Sequence, residues 1–158
     1  MSNCIVCDNS QVNVFLDLGK TSLANKFIAK EDLSKLEPYY DLKVGFCVDC
    51  HHVQLTETVP PTAMFDDYLY ISSLSDTLVG HLRGLAATVT DRLELTSNDL
   101  AVDVGCNDGT LLTGFKDNGI KTLGVDPAKN LTALAAEKGI STHVGYFGEE
   151  TAKALRAE

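Results

Sequence analysis

The sequence predicts an α/β protein built from two parts, and three observations carry that prediction. Two Cys-x-x-Cys pairs, Cys4–Cys7 and Cys47–Cys50, lie in the first third of the 158 residues. A run of small apolar residues around Val102 ends in a glycine turn that leads into a helical pattern. From Asp99 onward, stretches typical of strands alternate with stretches typical of helices. The cysteine pairs predict a small metal-stapled module, and the other two observations predict a parallel α/β unit.

The first predicted domain covers residues 1–60. It is rich in turns and short extended pieces, and a strand is predicted where apolar residues alternate, namely at Val12, Val14, Leu16 and Leu18. Pro60 and Pro61 mark the boundary, because proline interrupts both helices and sheet ladders. A linker and one helix are predicted for residues 61–98. The helix is expected from about Ser75, whose hydroxyl can cap it, and its apolar face is expected to comprise Leu78, Leu82, Leu85, Val89 and Leu93.

The second predicted domain covers residues 99–158 and consists of three strand–helix pairs. The strand segments are "LAVDVG", "KTLGVD" and "ISTHVGYF", and the helix segments are "GTLLTGFKDNG", "PAKNLTALAAEKG" and "GEETAKALRAE". This βαβαβα order predicts the first half of a doubly wound parallel sheet, a Rossmann-like arrangement. Three strands leave the first strand on an open edge with one face poorly covered, so we expect a truncated unit.

Composition and charge exclude several classes of function. With 44% hydrophobic and 22% charged residues, the chain has a globular composition. The net charge of −9 argues against a nucleic-acid partner, and residues 1–60 carry five Lys against eight Asp plus Glu. The start "MSNCIVCDNS" lacks the pattern of a secretory signal, and no stretch is long and apolar enough to cross a membrane. Five cysteines without an export signal indicate a cytoplasmic protein.

The two cysteine pairs have the spacing of a structural zinc site. Two residues between thiols let both sulfurs approach one ion from a tight turn, and two such turns complete a tetrahedron of four sulfurs. We therefore predict that zinc is bound by Cys4, Cys7, Cys47 and Cys50. Merely reduced thiols and a redox-active pair are the alternatives, as is replacement of one thiol by His51 or His52.

The glycine turn "VDVGCNDG" favours S-adenosylmethionine (SAM) over NAD. A dinucleotide fingerprint needs Gly-x-Gly-x-x-Gly, whereas Gly105, Asn107 and Gly109 fit the Gly-x-Gly-x-Gly turn of SAM enzymes with asparagine in the middle. Asparagine tolerates the left-handed backbone conformation better than most residues. Asp126 ends the next strand and can accept hydrogen bonds from ribose hydroxyls, while Asp103 would lie near the positive end of SAM. NAD, or turn residues with a purely structural role, remain the alternatives.

Taken together, these segments resemble the SAM-dependent sugar C-methyltransferases, which act on nucleotide-linked deoxysugars. The resemblance is carried, in order, by the cysteine pairs with "LGKTSLANKF" and "CVDCHHVQL", by "MFDDYLYISSLSDTLVGHLRGLA", and by "VGCNDGTLL" and "GVDPAKNL". It implies a class I methyltransferase fold for the second domain. It also implies that SAM is contacted by Gly105, Asn107, Asp108, Gly109 and Asp126. Four further residues are implied to border the cofactor and sugar pocket, namely Tyr68, Tyr70, Ser73 and His81.

Members of that family extend well past this length, and the resemblance supplies no catalytic base within the chain. We therefore expect the N-terminal part of a C-methyltransferase for a nucleotide-linked keto-deoxysugar, with zinc and SAM as cofactors and a nucleotide-sugar substrate in the full enzyme. One alternative is a non-catalytic zinc-stapled binding module that pairs with another chain, or with its own copy, through the open sheet edge. Another is a small complete methyltransferase whose missing strands come from an identical subunit.

Overall fold

The computed structural model describes residues 3–24 and 26–157. Asn25, part of the "LANKF" segment of the family resemblance, lies outside the described residues. The chain divides into two compact units, residues 1–64 and residues 65–158. The three-part division at residues 60 and 98 stays a prediction from the sequence.

The first unit is organised by an antiparallel sheet of three strands and by its cysteines. Strands β1 (Val12–Thr21), β2 (Tyr40–Cys47) and β3 (Val53–Leu55) pair in chain order, and a short helix, α1 (Pro61–Phe65), follows. The strand predicted from the apolar alternation is present, but Leu18 is 60% exposed and only Val12 of β1 is buried. The buried cluster of this unit consists of Val12 with Cys4 and Cys47. A module with so little apolar core needs its metal site for stability.

The second unit confirms the predicted α/β class and the βαβαβα order. Three parallel strands lie in the order β4-β5-β6. After helix α2 (Asp76–Arg92) come β4 (Leu100–Val104), α3 (Thr110–Asp117), β5 (Lys121–Asp126), α4 (Lys129–Glu137), β6 (Thr142–Val144) and α5 (Glu149–Ala157). Ser75 caps α2 as predicted, because its hydroxyl accepts a hydrogen bond from the Leu78 N–H at 3.3 Å.

The register of the parallel sheet brings two acidic side chains to one face. Asp103 on β4 pairs with Gly124 on β5, and Asp126 lies two residues further along β5. Since alternate residues of a strand point to the same face, Asp103 and Asp126 share a face near the carboxyl ends of the strands. In open α/β sheets, this edge is where ligands bind.

Helix α2 packs on α3 through small residues on the side of the predicted apolar face. A Cβ on Gly114 would lie 2.8 Å from the Ala86 Cβ, so the two helices approach each other closely at this point. Ala86 is completely buried, whereas Leu85 and Leu93 of the predicted face are 42% and 63% exposed. Leu78, Leu82 and Val89 of the predicted face are part-buried, and Val89 packs against the buried cluster that contains Ala86. The leucine spacing therefore indicated the packed side of the helix, while the closest approach uses an alanine and a glycine that the spacing did not single out.

Strand β4 lies at the edge of the described sheet. It pairs with β5 alone within the described residues, and its outward-facing side chains Leu100, Val102 and Val104 are 48–55% exposed.

Among residues 3–24 and 26–157, no helix combines the length and the hydropathy needed to cross a membrane.

Candidate functional site

The four cysteine sulfurs of the first unit converge on one point. All four lie within 4.8 Å of one another. The Sγ atoms of Cys4 and Cys50 are 3.5 Å apart, and those of Cys7 and Cys47 are 3.6 Å apart. A tetrahedral zinc ion with bonds of about 2.3 Å places its sulfur ligands roughly 3.8 Å apart. The separations therefore fit zinc held by four sulfurs, a closed set that leaves no position open for substrate.

Both cysteine turns have the same backbone geometry. In the first turn, the Cys4 carbonyl accepts from the Asp8 N–H at 2.9 Å, and in the second the Cys47 carbonyl accepts from the His51 N–H at 3.1 Å. Asp8 and His51 follow the second cysteine of each pair and have φ angles of 60° and 63°. This left-handed residue closes each turn so that both sulfurs of the pair point to one side. Two matching turns on one cluster are typical of a built metal site.

The protonation of these thiols also favours a bound cation. Backbone N–H groups, that of Cys7 foremost, lower the pKa of Cys4 to about 7. The Asn9 N–H likewise lowers the pKa of Cys7. Burial and the three neighbouring thiols outweigh this effect and raise the pKa of Cys7 to about 12. Four thiolates cannot coexist at these distances without a positive charge between them, and a divalent ion supplies that charge.

Gln54 supports the metal cluster, and the sequence did not single it out. This residue of β3 is buried, and its side-chain carbonyl accepts from the Ile5 N–H at 2.9 Å while its amide N–H₂ donates to the Asn3 carbonyl at 3.2 Å. Gln54 thus ties the first cysteine turn to the sheet. The His51 ring stacks on Phe46, and among the described residues the metal-ligand cluster contains neither histidine.

The predicted glycine turn of the second unit forms a left-handed loop after β4. Gly105, Asn107 and Gly109 have φ angles of 78°, 54° and 73°. A Cβ on Gly109 would press on Ala135 and Ile140 at 3.2 Å, so this glycine is required for packing. A Cβ on Gly105 would meet nothing within 4 Å, so the backbone here is open to a ligand that approaches closely.

The two predicted acids of this turn have different surroundings. Asp126 accepts hydrogen bonds from the Asn107 N–H at 2.8 Å and from the Ala128 N–H at 2.9 Å, which joins the glycine turn to the start of α4. Burial, reinforced by the nearby charge of Asp126, raises the pKa of Asp103. Asp103 therefore lies beside a second negative charge in a half-buried position, where a positive ligand would be stabilised.

The Asp108 side chain joins the glycine turn to residues elsewhere in the second unit. The Asp108 carboxylate is completely buried and accepts from the Lys138 ammonium at 2.6 Å and from the Thr110 hydroxyl at 2.7 Å. Burial opposes its ionisation, but the hydrogen bonds from Lys138, Ser73 and Thr110 hold the pKa of Asp108 below its usual range. Lys138 was missed by the sequence analysis, because a lysine 30 residues away in an ordinary helix terminus carries no local signal.

A cavity of about 400 Å³ opens at the carboxyl ends of β4 and β5, a size typical of small-ligand sites. Gly105, Asn107 and Asp126 line it together with Val104, Val125, Pro127 and Gly145, and aromatic side chains form its walls, namely Phe65, Tyr68, Tyr146 and Phe147. A second space of about 300 Å³ lies on the other side of the turn and contains Asp103 and Ser72. Gly105 and Asn107 border both spaces.

The structure brings some of the predicted pocket residues to this edge and not others. Tyr68 lines the larger cavity, and the Tyr70 carbonyl and the Ser73 N–H bond to side chains of the glycine turn. His81 lies exposed on α2 and lines neither of the two spaces. Cys106 is buried beneath the turn, and burial with the charges of three nearby acids raises its pKa to about 12, so it stays a neutral thiol.

Comparison with known proteins gives two findings. Residues 4–65 match a family model described as "Putative zinc binding domain" (Methyltransf_13). The chain is also 30% identical over 155 residues, 98% of its length, to the C-methyltransferase NovU of Streptomyces niveus. It spans 37% of the length of that relative. The four-sulfur cluster and the family model together make the first unit a zinc-binding module.

Proposed function

We propose that the chain is the N-terminal part of a sugar C-methyltransferase and that its second unit binds SAM for methyl transfer, which the match of its first unit to a zinc-binding domain model and its similarity to a C-methyltransferase support. The acceptor we propose is a carbon next to the keto group of a nucleotide-linked deoxysugar. The substrate is proposed from the family resemblance of the sequence, while the cofactor is proposed from the geometry of the glycine turn. A cytoplasmic setting is part of the proposal, and the metal-type spacing of the cysteines is consistent with it.

The observation that carries the choice of SAM is the pair of acids beside the turn. Asp103 and Asp126 share one face of the sheet, and the charge of Asp126 adds to burial in raising the pKa of Asp103. SAM brings a sulfonium and an ammonium group, which would relieve this repulsion. NAD would instead bring a pyrophosphate, and Lys138 is already paired with Asp108 at 2.6 Å. Electrostatics at this edge therefore favour the cationic cofactor.

The cavity walls support the same assignment. Asp126 retains lone pairs beyond those used by two backbone N–H groups, so its carboxylate can accept the ribose hydroxyls. The aromatic side chains around it offer apolar faces to an adenine ring. When bound, SAM supplies an electrophilic methyl group to the sugar carbon and leaves as S-adenosylhomocysteine. In this proposal the chain's own residues bind and orient the cofactor, and no catalytic base is assigned among them.

Asp103→Asn tests the cofactor assignment directly. Titration calorimetry on the zinc-loaded chain should show saturable SAM binding and none of NAD, and the variant should bind SAM about 10- to 100-fold more weakly because one charge-assisted contact is lost. Asp117→Asn on the exposed side of α3 removes the same charge far from the turn and should bind SAM like the wild type. Equal SAM affinity in both variants, or preferential binding of NAD, would overturn the assignment.

The same variant has an effect on stability without ligand. The raised pKa of Asp103 means that the folded chain holds this proton more tightly than the unfolded chain, so the ionised residue costs stability above its pKa. Asp103→Asn should therefore melt at a higher temperature than the wild type at neutral pH. The difference should shrink as the pH falls below the raised pKa of Asp103 and vanish below its ordinary value of 3.8. A variant that is less stable at neutral pH would contradict this account.

The exposed side of β4 favours a second candidate function, an assembly module that pairs with another chain. Val102 is 48% exposed on a strand with one hydrogen-bonded neighbour in the described sheet. If this strand mediates assembly, Val102→Lys should convert an oligomer into a monomer, because a charged side chain opposes edge and face pairing. Sedimentation velocity decides this, and an unchanged oligomeric state would remove this candidate.

A further inference from the structure

Residues 66–73, which form the strap, are hydrogen-bonded to residues that follow each of the three parallel strands. We propose that the side chains of Asn107 and Asn130 act on the cofactor through this strap. In this role they are positioning residues, which retain SAM beneath the strap without contacting it as ligands. The proposal rests on the proposed function and adds to it a means of cofactor retention.

The first fastening follows β4 and uses the glycine turn itself. The Asn107 side-chain carbonyl accepts from the Ser72 N–H at 3.0 Å, and its amide N–H₂ donates to the Tyr70 carbonyl at 2.9 Å. Beside it, the Asp108 carboxylate accepts from the Ser73 N–H at 3.2 Å. Both ends of the Asn107 amide are thus engaged by the strap. A glycine at this position has the required backbone conformation but cannot make these bonds.

The second and third fastenings follow β5 and β6. On α4, the Asn130 amide donates to the Tyr68 carbonyl at 2.7 Å, and its carbonyl accepts from the Tyr68 N–H at 3.4 Å. After β6, the Tyr146 hydroxyl donates to the Asp66 carboxylate at 2.7 Å. Two asparagines therefore hold the strap by paired main-chain bonds, and a tyrosine holds its beginning.

The strap and the larger cavity belong to one arrangement. Tyr68 lies on the strap and lines the cavity, while Asn107 and Tyr146 line the cavity and fasten the strap. A ligand seated on Asp126 would lie beneath this segment and could leave quickly only when the strap opens. Loosening one fastening should therefore raise the rate of ligand dissociation and leave the contacts of the ligand intact.

Asn107→Gly separates this role from the backbone conformation of the turn. Glycine adopts the φ angle of 54° without strain, so the variant loses the amide contacts and keeps the loop. Hydrogen exchange at the Ser72 N–H should become about tenfold faster, as expected for loss of one hydrogen bond that holds a segment closed. SAM should dissociate about tenfold faster in stopped-flow measurements, and its association should quicken as well, because the ligand enters and leaves through the same opening. Asn130→Ala should have the same two effects, with the faster exchange at the Tyr68 N–H.

Asn118→Ala is the matched control, because its side-chain amide donates to the Gly114 carbonyl at 2.8 Å at the opposite end of α3. It should lower the melting temperature by a similar amount and leave SAM dissociation unchanged. Unchanged exchange at Ser72 in Asn107→Gly would overturn the fastening itself. Faster exchange with wild-type SAM dissociation would overturn the retention. If the wild-type chain bound no SAM, the proposed function would fail and the retention with it, while the exchange result would still decide whether Asn107 holds the strap.

Discussion

Removal of zinc should unfold the first unit while the helices of residues 65–157 keep their structure. The buried cluster of that unit consists of Val12 with two of the cysteines, so the apolar core alone is too small to hold the sheet. Structural zinc sites of this kind contribute about 10–16 kcal/mol of apparent binding free energy. Cys47→Ser, at a completely buried ligand, should have the same effect as chelation.

Metal analysis and NMR spectra measure this outcome. The wild-type chain should contain one zinc per molecule, and the dispersed amide signals of residues 3–64 should collapse on chelation or in Cys47→Ser. Cys106→Ala is the control, because the fifth cysteine lies outside the metal cluster and this variant should retain its zinc. A first unit that stays folded with no zinc bound would show that the four sulfurs do not stabilise it.

Lys138→Met should destabilise the second unit by about 3 kcal/mol, because it leaves the buried Asp108 carboxylate without its cation. The Lys138 ammonium lies 2.6 Å from that carboxylate, and Asp108 is completely buried. In the wild type the depressed pKa of Asp108 contributes stability above the ordinary value of about 3.9, and this stability is lost as the pH falls through the depressed pKa. The difference in unfolding free energy between the wild type and Lys138→Met should therefore be largest at neutral pH and shrink under acid conditions.

Urea unfolding at neutral and acidic pH measures both parts of this prediction. Asp108→Asn combined with Lys138→Met removes the buried charge and should recover part of the lost stability. Lys153→Met, which removes an exposed lysine paired with Glu149 on α5, should leave stability almost unchanged. If Lys138→Met were as harmless as this control, the buried ion pair would carry no stability.

Local patterns predicted the elements of this fold well. Strand β5, Lys121–Asp126, has the bounds expected from "KTLGVD". Ser75 caps α2, the helix that it was expected to cap. The metal ligands were predictable because two residues between thiols already impose the turn that a metal site needs. The left-handed backbone of Asn107 was predictable because the turn requires it and few side chains tolerate it.

The sequence by itself therefore determined the strand–helix pairs of the second unit, the helix before them, the glycine turn and the metal ligands, since each depends on residues close together in the chain. Only the tertiary structure decided which partners meet across long separations. Ala86 against Gly114, Lys138 on Asp108, and Asn130 on Tyr68 carry no local signal, because each contact depends on how separate elements pack. For the same reason the side chain of Asn107, predicted as a cofactor contact, is occupied by the strap in the folded chain.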